Sequence, residues 1–202
     1  MRNTTITDLI ANNRAWARDR TAEDSSFFHE LAVNQQHPPY LWLGCSDSRV
    51  PASHVVGLEP GELFVHRNVA NLAPPHCASY LSVMEFAVQT LKVRHILVVG
   101  HYGCGGVRAA MEKRRSRLID HWLTPVRDLL QAHAGELEAL ADDQARHDRL
   151  CELNVLHQVQ SVAANPYVLE AWEQGQSLTI HGWCYSLETG LLTDLHSDVS
   201  HA

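Results

Sequence analysis

Tyr40-Leu41-Trp42-Leu43-Gly44, followed at once by Cys45-Ser46-Asp47-Ser48-Arg49, and His95-Ile96-Leu97-Val98-Val99-Gly100, followed by His101-Tyr102-Gly103-Cys104, are the two stretches that decide the fold. Each apolar run is short, rich in residues that suit a pleated surface, and bounded by punctuation such as Pro38-Pro39, which predicts a buried strand. Working outward, Glu62 to Val65 reads as a second strand after the turn Glu59-Pro60-Gly61, and Ala78 to Leu91 as a helix. A helix is predicted to start near Val107, a long helical stretch to run from Asp120 to about Gln160, and another helix to open at Asn165-Pro166 and end at Gly175. Ser177 to His181 reads as a fourth strand, and Leu191 to Leu195 as a short edge hairpin through Glu188-Thr189-Gly190. Strands alternating with helices imply right-handed crossovers. The expected fold class is therefore α/β: a single domain with a mainly parallel central sheet of about four strands plus a short edge strand, flanked by helices. Two helices precede the first strand, one from Thr5 to about Arg20 and one after Ser25-Ser26. They suit an N-terminal arm over residues 1–36 that reaches a partner subunit, or a cover for the chain's own sheet.

The 202 residues carry 45% hydrophobic and 19% charged side chains, a composition able to bury a core and inconsistent with disorder, collagen or coiled coil. The formal net charge of −7 argues against a nucleic-acid partner. Apolar runs fall far short of the roughly 20 residues a membrane helix needs, and MRNTTITDLI lacks a signal-peptide core, so a soluble, cytoplasmic protein is expected. Five cysteines, an odd number in a chain without a secretion signal, suggest free thiols or metal ligands rather than disulfides. Most of the 14 histidines need no role beyond surface or capping positions.

Both chemistry-bearing clusters lie just past predicted strand ends. In open parallel sheets ligands bind outside the carboxyl ends of strands, where strand order reverses. If these two strands are neighbours, Cys45, Asp47, His101 and Cys104 meet in one crevice. Two thiolates and an imidazole are a donor set that Zn2+ selects. Taken singly, a cysteine after a strand is commonly a small buried residue and Asp47-x-Arg49 a plain loop salt bridge; their convergence gives them another meaning.

C-S-D-S-R-V-P, E-P-G-E-L-F-V-H-R-N-V-A-N, G-H-Y-G-C-G-G and H-G-W, in that order, resemble the β-class carbonic anhydrases, and the resemblance runs from about Leu41 to Leu195. It implies a zinc-binding core over residues 37–195, with one Zn2+ per chain held by Cys45, His101 and Cys104. It implies reversible hydration of carbon dioxide to bicarbonate and a proton by attack of zinc-bound hydroxide, with Asp47 and Arg49 as the catalytic pair. Two thiolates and a neutral imidazole leave zinc with almost no net charge, so it acidifies water less than a three-histidine zinc does. Asp47, kept ionised by a bidentate Arg49, would then orient the nucleophile. Gln36, Phe64, Val69 and Gly105 are the implied pocket for carbon dioxide and bicarbonate. The amides of Gly105 and Gly106 can also be read as lowering the pKa of Cys104.

Trp42, Gly44, Val50, Arg67 and Tyr185 resemble the type that carries a second, non-catalytic bicarbonate site, formed by Trp42, Arg67 and Tyr185. In that type Asp47 leaves Arg49, becomes a fourth zinc ligand and switches the enzyme off at low pH and high bicarbonate. The partners implied are carbon dioxide, bicarbonate and a second copy of the chain. Relatives of this type continue into a further helix that contributes to a dimer of dimers, whereas this sequence ends at Ala202, so a homodimer is expected and a dimer of dimers stays open. His54, in the loop near the site, reads as a surface residue or as a proton carrier. The competing functions are hydrolysis of an isostere such as COS or CS2, and a zinc-containing structural or bicarbonate-sensing protein; the Asp47–Arg49 pair speaks against the latter.

Overall fold

The computed structural model describes residues 4–112 and 117–201. It divides into two compact units, Met1–Gln36 and His37–Ala202. The first holds α1 (Ile6–Glu23) and α2 (Phe27–Val33). Thr5 starts α1 with a capping box: its hydroxyl accepts from the Asp8 amide while the Asp8 carboxylate accepts from the Thr5 amide at 2.7 Å. Within this unit Trp16 meets Phe28 edge-on and Arg20 lies over Phe27, yet neither helix has a fully buried residue.

The second unit opens with β1 (Tyr40–Cys45), then α3 (Ala52–Val55), β2 (Leu63–Asn68), a helical turn at Val69–Asn71, and α4 (Ala78–Glu85). Next come β3 (His95–His101) and α5 (Gly105–Met111). Beyond the undescribed residues 113–116 follow α6 (Leu118–Trp122), α7 (Thr124–Ala132), α8 (Ala134–Glu138), α9 (Asp143–Ala163) and α10 (Pro166–Glu173). The chain closes with β4 (Thr179–Tyr185), β5 (Leu192–Asp194) and β6 (Val199–Ser200). The sheet order is β2-β1-β3-β4-β5, with the first four strands parallel and β5 antiparallel on β4; β6 also pairs with β4. The chain leaves β1 to one side for β2 and returns on its other side as β3, so the switch point lies between the carboxyl ends of β1 and β3.

Five features differ from the sequence reading, each for a physical reason. β2 runs on to Asn68 and β4 is displaced toward Tyr185, because the ladders continue to Cys45↔Asn68 and His101↔Tyr185. The helix predicted from Ala78 to Leu91 widens into a π-turn over Phe86–Thr90, where the Leu91 amide donates to the Phe86 carbonyl. The stretch from Asp120 to Gln160 breaks into four helices: Pro125 lies in the first turn of α7, Gly135 in that of α8, and Asp142 caps α9. The polar tail contributes β6, which pairs with Thr179 and Ile180.

Leu41, Leu43, Ile96, Val98 and Ile180 pack with Val155, Val159 and Val162 of α9 and with Tyr80 and Met84 of α4, giving one face of the sheet its core. On the opposite face Trp42, Leu97 and Val99 pack with Val50 and Ala52. Burying these side chains at ~25 cal/mol per Å2 supplies the main drive for folding. Among the described residues no helix is long and apolar enough to cross a membrane.

Candidate metal centre

β1 ends on Cys45, β3 ends on His101, and Cys104 is the residue before α5, so two adjacent parallel strands and one helix start deliver three donors to the switch point. Their ligand atoms lie within 4.8 Å of one another, and all three residues are buried. The His101 Nδ1–H donates to the Tyr102 carbonyl at 3.0 Å, since a carbonyl only accepts. That bond sets the tautomer and leaves Nε2 as the lone-pair nitrogen, and Nε2 is buried without a hydrogen-bond partner. The two sulfurs are 3.9 Å apart. A tetrahedral zinc with Zn–S bonds of about 2.3 Å separates two thiolates by about 3.8 Å. Donor type, spacing and the orphaned nitrogen all fit Zn2+.

The contact between the two sulfurs pulls the Cys45 pKa well down and pushes that of Cys104 well up, with burial adding to the latter. The nearby amides of Asp47 and Ala70 also lower that of Cys45. The amide that reaches Cys104 is that of Val107, further into the helix than the Gly105 and Gly106 amides of the sequence reading. The His147 Nε2–H donates to the Cys104 carbonyl at 3.0 Å from α9.

Asp47 sits between this cluster and Arg49. Its Oδ1 accepts from the Arg49 amide and Nε, both at 2.9 Å, and its Oδ2 accepts from Nη2 at 2.7 Å. This fork holds the Asp47 carboxyl well below the usual carboxylate range against the opposing effect of burial. The same Oδ2 is 3.7 Å from His101 Nε2, which puts an ionised carboxylate at the edge of the donor cluster.

Arg67 holds the Cys45–Asp47 loop from β2: its Nε donates to the Cys45 carbonyl at 2.7 Å and its Nη2 to the Asp47 carbonyl at 2.5 Å. Trp42, on β1, is wholly buried, and its Nε1–H has no partner among the described residues. Its indole lies against Gly44, where a Cβ would come within 2.1 Å of Nε1. Tyr185 packs against this Trp42 cluster from the end of β4. Trp42 and Tyr185 therefore meet in one cluster, with Arg67 joined to the metal loop beside Gly44.

Of the expected pocket residues, Phe64 lies on β2 with its ring 5.9 Å from that of Phe86, Val69 follows β2, and Gly105 begins α5. Gln36 is the last residue of the N-terminal unit and is exposed. A groove of about 600 Å3 beside Cys45 is lined by Ser46, Asn68, Val69, Ile119 and Trp122, and the Trp122 Nε1–H donates to the Val69 carbonyl at 2.9 Å. Trp122 and His147 carry no motif in the sequence; each reaches the site from an element remote in the chain. Cys151 and Cys184 are buried packing residues, the former pushed up to about 12 by burial, and Cys77 precedes α4. His54 is exposed on α3.

A family model described as carbonic anhydrase matches residues 40–192. A carbonic anhydrase of Emericella nidulans is 45% identical over 190 residues, 94% of this chain and 83% of that protein. One of Candida albicans is 34% identical over 193 residues, covering 95% and 68%. Among solved structures, a β-carbonic anhydrase of Sordaria macrospora, described as tetrameric, superposes with a TM-score of 0.91 at 36% identity over 96% of this chain and 98% of that one. A Coccomyxa β-carbonic anhydrase in complex with acetazolamide gives 0.91 at 37% identity over 98% and 89%.

Proposed function

The chain belongs to the β-class carbonic anhydrases, zinc enzymes, and from that membership we propose that it catalyses the reversible hydration of carbon dioxide to bicarbonate and a proton at the Cys45–His101–Cys104 centre. The observation that carries the reading is the ionised Asp47 carboxylate, forked by Arg49 and 3.7 Å from the free nitrogen of His101. When bound, Zn2+ supplies the Lewis acidity that draws the pKa of a coordinated water toward neutrality. Cys45, Cys104 and His101 Nε2 hold it. Asp47 Oδ2 accepts a hydrogen bond from the attacking oxygen and aims its lone pair at carbon dioxide. Arg49 keeps that oxygen an acceptor, since a protonated Asp47 would donate instead. Phe64, Val69 and Gly105 provide a wall with few donors, suited to a small apolar substrate.

The finer part of the proposal is a switch. Bicarbonate bound among Trp42, Arg67 and Tyr185 would give the orphaned Trp42 Nε1–H an acceptor. It would also compete for the Arg67 guanidinium, which now holds the Asp47 carbonyl. Released from Arg67, the loop would let Asp47 turn from Arg49 toward His101, where its carboxylate would join the residues that hold the metal and leave no place for a nucleophile. The functional assembly is a homodimer, or a dimer of dimers; the Sordaria macrospora neighbour is described as tetrameric.

Stopped-flow carbon dioxide hydration by the wild type and Asp47→Ala, with zinc counted in both, tests the reading. The expected result is one zinc per chain in each and a large loss of rate in the variant. Equal rates would remove Asp47 from the mechanism, and absence of zinc in the wild type would remove the metal centre.

A further inference from the structure

The turn between β2 and α4 holds two successive non-glycine residues in the left-handed region, Ala70 at φ 66° and Asn71 at φ 48°. An alanine adopts that conformation only where its surroundings impose it. The imposing groups are two buried amides one turn apart on α9. The Ala73 amide donates to Gln158 Oε1 at 2.9 Å, Gln158 Nε2 donates to Asn154 Oδ1 at 3.0 Å, and Asn154 Nδ2 donates to the Ala70 carbonyl at 2.9 Å. The orientation of both side-chain amides follows from the chain of bonds itself: flipping either one would set donor against donor. Asn154 and Gln158 are almost completely buried, so this relay is shielded from water. Asn68 closes the turn from its other side, accepting from the Leu72 amide and donating to the Leu72 carbonyl, both at 2.7 Å.

The turn held in this way touches the metal centre at two points. Ala70 packs with Cys45 and Cys104 in one buried cluster. On the other flank, Ala70 and Val69 press on the start of α5, where a Cβ on Gly106 would come within 2.9 Å of Val69 Cγ1 and 3.1 Å of Ala70 Cβ. Glycine at 106 lets the turn seat directly against the helix that begins just after Cys104. Neither α9 amide reaches a metal ligand, but the turn they constrain packs against Cys45 and Cys104.

We propose that Asn154 and Gln158 are positioning residues for the zinc centre: they clamp the Ala70–Asn71 turn from α9 so that Ala70 is held against Cys45 and against the helix that begins just after Cys104. The inference rests on the zinc reading above. Groups packed behind a metal ligand fix its direction, and loss of such outer partners costs about 10–100-fold in metal affinity.

Asn154→Asp keeps the shape and the bond from Gln158 but sets an oxygen against the Ala70 carbonyl. Gln158→Glu keeps the bond from Ala73 and removes the donor to Asn154. Zinc affinity is measured on the full chain by chelator competition, and the thiolate-to-cobalt charge-transfer absorption on protein loaded with Co2+, with Gln160→Ala on the exposed face of α9 as control. The expected result is at least about a tenfold loss of zinc affinity and a displaced charge-transfer band in Asn154→Asp, smaller changes of the same sign in Gln158→Glu, and none in the control. A role confined to packing would lower the melting temperature and leave the band of the folded protein in place. Wild-type affinity and spectrum in both variants would overturn the proposal; if Asn154→Asp does not fold, Gln158→Glu decides alone. A wild type that binds no zinc would instead overturn the zinc reading.

Discussion

Replacing Gly44 by alanine introduces a single methyl at a place where the structure leaves none. The ideal Cβ would stand 2.1 Å from Trp42 Nε1, 2.9 Å from Cδ1 and 3.1 Å from Cε2. Non-bonded heavy atoms rest about 3.5 to 4.0 Å apart, so the indole must retreat by roughly 1.4 Å or more. Trp42 has zero exposure and is packed with Val50, Ala52, Leu97 and Val99, so the displacement spreads through a filled core. Overpacking of this kind costs about 1 to 3 kcal/mol. At about 2 to 4 °C per kcal/mol for a chain of this size, the melting temperature should fall by about 2 to 12 °C. The assay is calorimetry on zinc-loaded protein at one fixed concentration, since assembly also shifts the transition. Trp42→Phe removes the atom nearest the new methyl and, because Nε1–H has no partner, forfeits no hydrogen bond. The double variant should therefore be at least about 1 kcal/mol less destabilised than the sum of the two single ones. A Gly44→Ala protein melting within about 1 °C of the wild type, or strict additivity in the cycle, would refute the close contact of residues 42 and 44.

Cys104→Ser should drop zinc from one per chain to a small fraction by elemental analysis, since a serine hydroxyl does not ionise to match the lost thiolate. Asp47→Asn keeps the size of the side chain but loses the anionic acceptor, and kcat/KM for carbon dioxide should fall by about 100-fold in stopped-flow measurements. The same variant tests linkage. Asp47 ionises more readily folded than unfolded, so its stabilising contribution is present above pH 3.8 and is lost as the pH falls through the lower folded value. Denaturant titrations should accordingly show a shallower acid loss of stability in Asp47→Asn, and parallel curves would contradict the fork. For the switch, wild-type activity should be low below neutral pH, rise steeply above it, and fall when bicarbonate is added at the lower end. Trp42→Phe, lacking the indole donor, should lose the bicarbonate response, whereas a flat wild-type profile from about pH 6.5 to 9 would end the proposal.

The candidate metal ligands are legible because Cys45 and His101 stand where continuous apolar runs stop, with Cys104 three residues on, and a parallel sheet gathers such ends at its switch point. Asp47 and Arg49 were legible for a similar reason, being two residues apart in the loop that β1 delivers. The helical region between Asp120 and Gln160 was read too simply, since apolar spacing continues across Pro125 and Gly135 while the backbone reorients at both. β4 was placed too early because His181 and Gly182 interrupt the apolar run; its half-buried and buried residues alternate through Tyr185, and partners on β3 complete the ladder.

What the sequence by itself determined is the class of fold, the donor set and the chemistry that donor set can support, because these depend on residue type and on spacing along one segment. What only the tertiary structure decided lies between segments. Asn154 reaches Ala70 across 84 residues, His147 reaches the Cys104 carbonyl across 43, and Arg67 reaches the Asp47 carbonyl across 20. Local propensity gives an alanine no reason to enter the left-handed region and a buried asparagine no reason to exist. The compensation for both is the hydrogen bond between them, and it exists only once α9 has packed against the sheet.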